Sequence, residues 1–239
     1  MQRRRFEIDP ANRDAHRDLV VLVNRLGNLA IATGNPRAAV KHWNEARDLL
    51  RGALGRWPDD PELQAQLANV PVKLAQAWLT AGDFAQTETE ARAAMASLGT
   101  LLEQQEERYP VRANHAAAQG MLGHALISAG RVREAEATMV SYHAAVERMV
   151  DDYPDLADPR RDLLYATDAL ARLHRELADE PDRADRGRRR NLQRAQTLWT
   201  DCIERARGLV DEGLLPEERA ELPRLERSIA DCQAQLAAG

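Results

Sequence analysis

Residues 26–43 read Leu26-Gly27-Asn28-Leu29-Ala30-Ile31-Ala32-Thr33-Gly34-Asn35-Pro36-Arg37-Ala38-Ala39-Val40-Lys41-His42-Trp43. The stretch contains the end of one helix, a turn and the start of another. Upstream, Leu19, Leu22, Leu26, Leu29 and Ala30 recur at three- and four-residue spacing, the period of a helix with one apolar face. Gly34 then ends that helix, because glycine enters the left-handed region without a steric cost. Asn35-Pro36 opens the next one with an acceptor for free N–H groups and a ring that fits the first turn. Its apolar face runs Ala39, Trp43, Ala46, Leu50 and Leu54.

The same grammar returns every 48 residues. Leu26-Gly27 becomes Leu74-Ala75, Leu122-Gly123 and Leu170-Ala171. Gly34 becomes Gly82 and Gly130, with Ala178 in fourth place. Leu19, Leu67 and Leu163 share another column, with His115 as its exception. Pro10, Pro58 and Pro154 fall on one or two periods. In the second unit Asp83 is the candidate cap. In the third unit the second helix presents Ala135, Met139, Tyr142, Val146 and Val150. Small residues at Gly27, Ala75, Gly123 and Ala171 let paired helices approach closely.

With these columns the chain resembles the tetratricopeptide repeat (TPR) family. That pattern has a Leu-Gly pair, an aromatic or small residue three positions on, and Ala-x-x-x-Phe in the second helix. The four units read Leu26-Gly27, Ala30, Ala39 and Trp43; Leu74-Ala75, Trp78, Thr87 and Ala91; Leu122-Gly123, Leu126, Ala135 and Met139; Leu170-Ala171, His174, Ala195 and Trp199. The period is 48 residues where the family's usual one is about 34, which identifies a long variant of a kind found in bacteria. The resemblance implies an all-α fold: a right-handed α-solenoid of antiparallel helix pairs, with about four repeats and a C-terminal capping helix. As one repeat domain over 1–239, the chain divides into the tail of a partial repeat (1–9), repeats at 10–57, 58–105, 106–153 and 154–213, and the cap at 214–239.

Four irregularities interrupt the pattern. Pro71 falls inside a first helix and should kink or interrupt it. Tyr109-Pro110 comes four residues later than Trp57-Pro58 and Tyr153-Pro154 predict, which reads as a lengthened second helix followed by a shortened first one. An insertion of about 12 residues near 179–190 carries Arg183, Arg186, Arg188, Arg189 and Arg190 and reads as a solvated loop before a charged helix start. Residues 1–9 put Phe6 in the column of Leu54, Leu102 and Val150, so the first unit presents an open edge. Near the C-terminus, Leu222, Leu225, Ile229, Cys232 and Leu236 form a seam that either covers the last repeat or pairs with another copy. Self-association is therefore open at the N-terminal edge and the C-terminal helix.

Composition excludes several functions. The chain has 239 residues, 44% hydrophobic and 4% aromatic, and a formal charge of −5. Lys41 and Lys73 are its lysines; the other 31 of its 33 basic residues are arginine. With that net charge, and no aromatics among the inserted arginines, nucleic acid is not an expected partner. No run approaches 18 apolar residues and no leader-like apolar run follows the basic start, so a cytoplasmic protein with no membrane contact is expected. Cys202 and Cys232 have no metal-ligand spacing. The six histidines are scattered, and phosphate loops, H-E-x-x-H and G-x-S-x-G are absent. No catalytic residue, metal or cofactor is expected, and the chain is not read as an enzyme.

Binding is the expected activity. In the TPR family the first helices line a concave groove whose exposed positions hold peptide ligands. By resemblance those positions are Asn24, Arg25 and Asn28; Asn69, Lys73 and Gln76; Met121 and His124; and Tyr165, Asp168 and Arg172. Amides and guanidinium groups there suit a peptide backbone or a carboxylate. The expected function is a protein–protein interaction module for a peptide or partner protein. The alternative is a regulatory or sensor part of a larger bacterial signalling or defence system acting on a catalytic partner.

Overall fold

A computed structural model of the chain describes residues 13–104, 108–180 and 185–238. All its regular elements are helical: α1 (Arg13–Ala32), α2 (Pro36–Leu54), α3 (Pro61–Ala81), α4 (Phe84–Gln104), α5 (Tyr109–Ser128), α6 (Val132–Asp152), α7 (Ala157–Ala178), α8 (Asp185–Asp211) and α9 (Leu222–Ala238), with a 3₁₀ turn at Glu217–Arg219. First helices open at Pro61, Tyr109 and Ala157, each 48 residues after the last, and α1 is described from Arg13 onward. Second helices open at Pro36, Phe84 and Val132 on the same step, then at Asp185. The chain divides into two compact units between Met121 and Leu122, within α5.

In the first unit α1 packs on α2, α2 on α3 and α3 on α4. The turns follow the chemistry of their residues. Gly34 and Gly82 take φ of 71° and 76°, values that an L side chain rarely adopts. Asn35 Oδ1 accepts the Ala38 N–H at 3.1 Å, Asp83 Oδ1 the Gln86 N–H at 3.0 Å, and Asp60 Oδ1 those of Glu62 and Leu63. A core of Val20, Ala30, Trp43, Leu50, Leu63, Val70, Leu74 and Ala77 joins the first three helices. Gly27 is required by contact rather than by conformation: a Cβ there would lie 2.3 Å from Trp43 Nε1. Leu29, assigned to the apolar face from its spacing, is instead 59% exposed.

Pro71 does not interrupt α3, which continues from Pro61 to Ala81. The proline forfeits one backbone hydrogen bond, but Val70, Val72 and Leu74 are buried beside it and hold the helix in place. Nor is α5 shortened. It opens at Tyr109, in the column of Pro61, so Pro110 lies in the first turn, where a missing N–H costs nothing. The expected extra turn on the preceding helix falls past Gln104, on residues 105–107, outside the described residues.

In the second unit α6 packs on α7, α7 on α8 and α8 on α9. Gly123 faces Met139, whose Sδ would stand 2.2 Å from an added Cβ. A cluster including Ala171, Leu192, Trp199, Cys202, Ala206 and Leu209 extends to Leu225 and Cys232 of α9, with Leu222, Ile229 and Leu236 packed against it. The C-terminal seam is thus covered within the chain. From Asp185 onward the arginine-rich insertion is helix rather than loop: Arg186, Arg188, Arg189 and Arg190 lie in the 27-residue α8. Arg183 lies outside the described residues, as do Phe6 and the rest of 1–9.

Candidate binding surface on the first helices

A 48-residue step places equivalent residues of successive first helices in columns. Asn24 and Asp168 share one; Arg25, Lys73 and Met121 a second; Asn28, Gln76, His124 and Arg172 a third; Asn69 and Tyr165 a fourth. These four columns span less than two turns of each helix, so each helix offers a compact patch.

In the first unit the patch is built from amides around one ammonium. Lys73 Nζ donates to Asn24 Oδ1 at 3.0 Å, from α3 back to α1. Both side chains are half-buried. Burial holds the Lys73 ammonium below its usual range, since desolvation penalises the charged form. Its hydrogen-bond partner is neutral. Asn69 Oδ1 accepts from Asn114 Nδ2 at 2.8 Å, which ties α3 to α5. Asn28, Gln76 and Arg25 are exposed. Trp43 is buried against Gly27, and its Nε1–H has no hydrogen-bond partner among the described residues.

In the second unit a carboxylate organises the patch. Asp168 accepts the Trp199 indole N–H at 2.9 Å and pairs with Arg172 at 2.9 Å and with Arg224 of α9 at 3.0 Å. His124 stands nearby. Burial lowers its pKa, Arg172 lowers it further, and Asp168 opposes them. Tyr165 is 49% exposed. Met121, expected in the groove, is buried and offers no exposed group. Asp168 is committed to structural partners as well as to the surface. Asn114, Trp199 and Arg224 join these patches although the sequence did not assign them there. Trp199 was legible only as a core residue in the Trp43 column, and Arg224 lies on a helix outside the repeat register.

Cys202 is a buried thiol pushed up to about 12 by burial, with Asp168 and Asp201 adding to it, so it is not an activated thiolate. Among the described residues no group of three His, Cys, Asp or Glu side chains could hold a metal ion. No described helix is long and apolar enough to cross a membrane. The larger clefts lie elsewhere: one of about 580 Å³ beside Lys41, Asn44 and Asp48, and one of about 550 Å³ over Pro71, between Arg51 and Ala93.

The fold is therefore an all-α, TPR-like helical repeat. In structure the chain is similar to BtubC (BKLC) from P. vanneervenii, with 16% identity and a TM-score of 0.65 over 99% of this chain and 79% of that one. It is similar as well to the nearly identical TPR-like repeats of a Podosopora anserina putative kinesin light chain. There a point-substituted form gives 17% identity and a TM-score of 0.52 over 93% of this chain and 96% of that one. A second structure of those repeats gives 17% and 0.50 over 92% and 95%. At such identities the likeness is one of fold. No protein-family model and no curated protein matches the chain.

Proposed function

We propose that the chain is a protein-interaction module that holds a peptide segment or partner protein along the exposed faces of its first helices, and that Lys73 takes an anionic group of that partner. The observation that carries this is the Lys73–Asn24 pair. A half-buried ammonium bonded to an amide has already lost part of its hydration without gaining a counter-charge, so an incoming carboxylate gains more there than at a fully solvated lysine. Asn28 and Gln76, exposed beside it, supply amide donors and acceptors for a peptide backbone. The second unit has exposed groups of its own in Tyr165 and Arg172. The TPR-like fold supports an interaction role over a catalytic one.

The test begins with capture of partners on the intact chain and their identification by mass spectrometry. The identified segment is then titrated against the wild type and against Lys73→Glu, with acidic residues of the segment changed one at a time. We expect Lys73→Glu and one acidic change each to weaken binding at least tenfold, and the pair together to cost no more than either alone. Unchanged affinity of Lys73→Glu, with helicity preserved, removes Lys73 from the site.

A further inference from the structure

An acceptor side chain stands in one column of the first helices only where the second helix presents an indole. In the column of Asn24 the later repeats hold Val72, Gly120 and Asp168; in that of Trp43 they hold Ala91, Met139 and Trp199. Asn24 goes with Trp43 and Asp168 with Trp199, and the two middle repeats have neither member of the pair. In the second unit the pairing is complete. Asp168 Oδ1 accepts the Trp199 indole N–H at 2.9 Å and also accepts from Arg224, on the next helix, at 3.0 Å. The first unit has the same three parts: an acceptor on α1, an indole on α2 and a cation on α3. They are joined differently. The single amide oxygen of Asn24 accepts from Lys73 Nζ at 3.0 Å, and the buried Trp43 Nε1–H has no partner among the described residues. That indole nitrogen lies against Gly27, which is three residues from Asn24 on the same face of α1, as Ala171 is from Asp168 on α7.

A buried donor without an acceptor carries the full cost of its lost hydration. We propose, resting on the reading of Lys73 as the anion-binding residue, that Asn24 is a positioning residue with two settings. In the free chain its oxygen is held by Lys73. When a carboxylate of the partner takes Lys73, the oxygen turns to accept the Trp43 indole N–H, as Asp168 does for Trp199. The exchange is favourable at both ends. The ammonium trades a neutral acceptor for a charged one, which makes the stronger bond, and the indole trades no acceptor for an amide. It asks only for rotation of the Asn24 side chain. The carboxylate therefore gains twice, directly from Lys73 and indirectly from the core of the first helix pair, and its arrival is reported at a buried tryptophan. Asp168 has no such second setting, because one carboxylate oxygen holds the indole and a guanidinium together.

Nitrogen-15 NMR of the indole groups of the full chain tests it, with circular dichroism confirming that each variant is helical. The chain has four tryptophans, and Trp43→Phe assigns the Trp43 signal. Lys73→Met removes the competing donor, so the Trp43 indole proton should move downfield and exchange with solvent at least about tenfold more slowly. Adding Asn24→Ala to Lys73→Met should abolish both changes. Asn24→Asp should produce them with Lys73 in place, since a carboxylate holds both donors in the second unit. Sodium acetate, compared with sodium chloride at equal ionic strength, should move the same proton downfield in the wild type and leave it in place in Asn24→Ala. A Trp43 signal that ignores Lys73→Met, or a response that survives the loss of Asn24, overturns the two settings of Asn24. If Lys73→Met moves the signal and acetate does not, the two settings stand and the anion-binding reading of Lys73 is what fails.

Discussion

Trp43 and Trp199 occupy the same repeat column, yet their surroundings differ. Trp199 gives its indole N–H to Asp168, and that carboxylate also takes Arg172 and Arg224. Trp43 stands over Gly27, and the residue in the Asp168 column is Asn24, whose amide oxygen is taken by Lys73. One region is closed by a charge that ties one helix pair, α7 and α8, to α9. The other holds, among the described residues, a neutral amide, an ammonium with no carboxylate partner and an indole without an acceptor. A single column, Asn in one repeat and Asp in another, thus separates a region organised by a carboxylate from one organised by a neutral amide.

The largest expected effect comes from removing the organising carboxylate. Asp168→Ala leaves the Trp199 N–H without its acceptor and takes one carboxylate from Arg172 and from Arg224, which keeps Glu221, and should cost about 2–3 kcal/mol in urea unfolding. Asn24→Ala should cost below about 1 kcal/mol, because Lys73 can turn to water. Equal losses at the two positions would erase the contrast between the regions.

Next in size is the close contact. Gly27→Ala drives a methyl into a rigid indole and should destabilise by about 1–3 kcal/mol. Gly123→Ala meets the flexible end of Met139 and should cost less. Ala171 coexists with Trp199 in one core, so the column tolerates a methyl when the indole is held elsewhere. Adding Asn24→Asp to Gly27→Ala supplies such an acceptor and should recover part of the loss. No recovery would show that the acceptor does not position the indole.

Much of the fold was legible because its signals are local and repeated. Leu-Gly pairs, turn glycines and cap residues at Asn35 and Asp83 each act within a few residues of themselves, and 48-residue repetition separates them from chance. What escaped was what a neighbouring helix decides. Spacing alone puts Leu29 on an apolar face, and only the absence of a covering helix among the described residues leaves it exposed. Pro71 reads as a breaker, but burial of the valines around it outweighs one lost hydrogen bond. The patch was legible as columns, not as contacts: nothing local says that Lys73 reaches back to Asn24, that Met121 is buried, or that Arg224 arrives from outside the repeat.

A smaller effect separates the two cations. Arg224→Met removes one partner of Asp168 and should cost about 1 kcal/mol, whereas Lys73→Met removes a half-buried ammonium with a neutral partner and should be neutral or slightly stabilising. Lys73 also predicts an alkaline signature. Its pKa lies below the ordinary 10.5 in the folded chain, so between those values the unfolded chain binds more protons. Stability should then rise with pH across that window, and Lys73→Met should abolish the rise. Anion binding at Lys73 should fade over the same window, as the ammonium is lost.

The smallest effect lies in the other region and at acid pH. In the column of Asn28 and Gln76, which do not titrate, the second unit has His124, held below the ordinary 6.5 first by burial and then by Arg172, against the pull of Asp168. Between its folded value and 6.5 the unfolded chain takes up a proton that the folded chain refuses. Stability should therefore fall as pH drops through that window, by less than about 1 kcal/mol. His115 is lowered by burial as well, so the two must be separated by substitution. His124→Gln should remove one part of the slope and His115→Gln the other. Arg172→Gln should move the His124 titration, followed by NMR, back toward 6.5, and Asp168→Asn should move it further down. A His124 that titrates unchanged in both variants would mean that burial alone sets it, and that the charge cluster around Asp168 does not extend to α5.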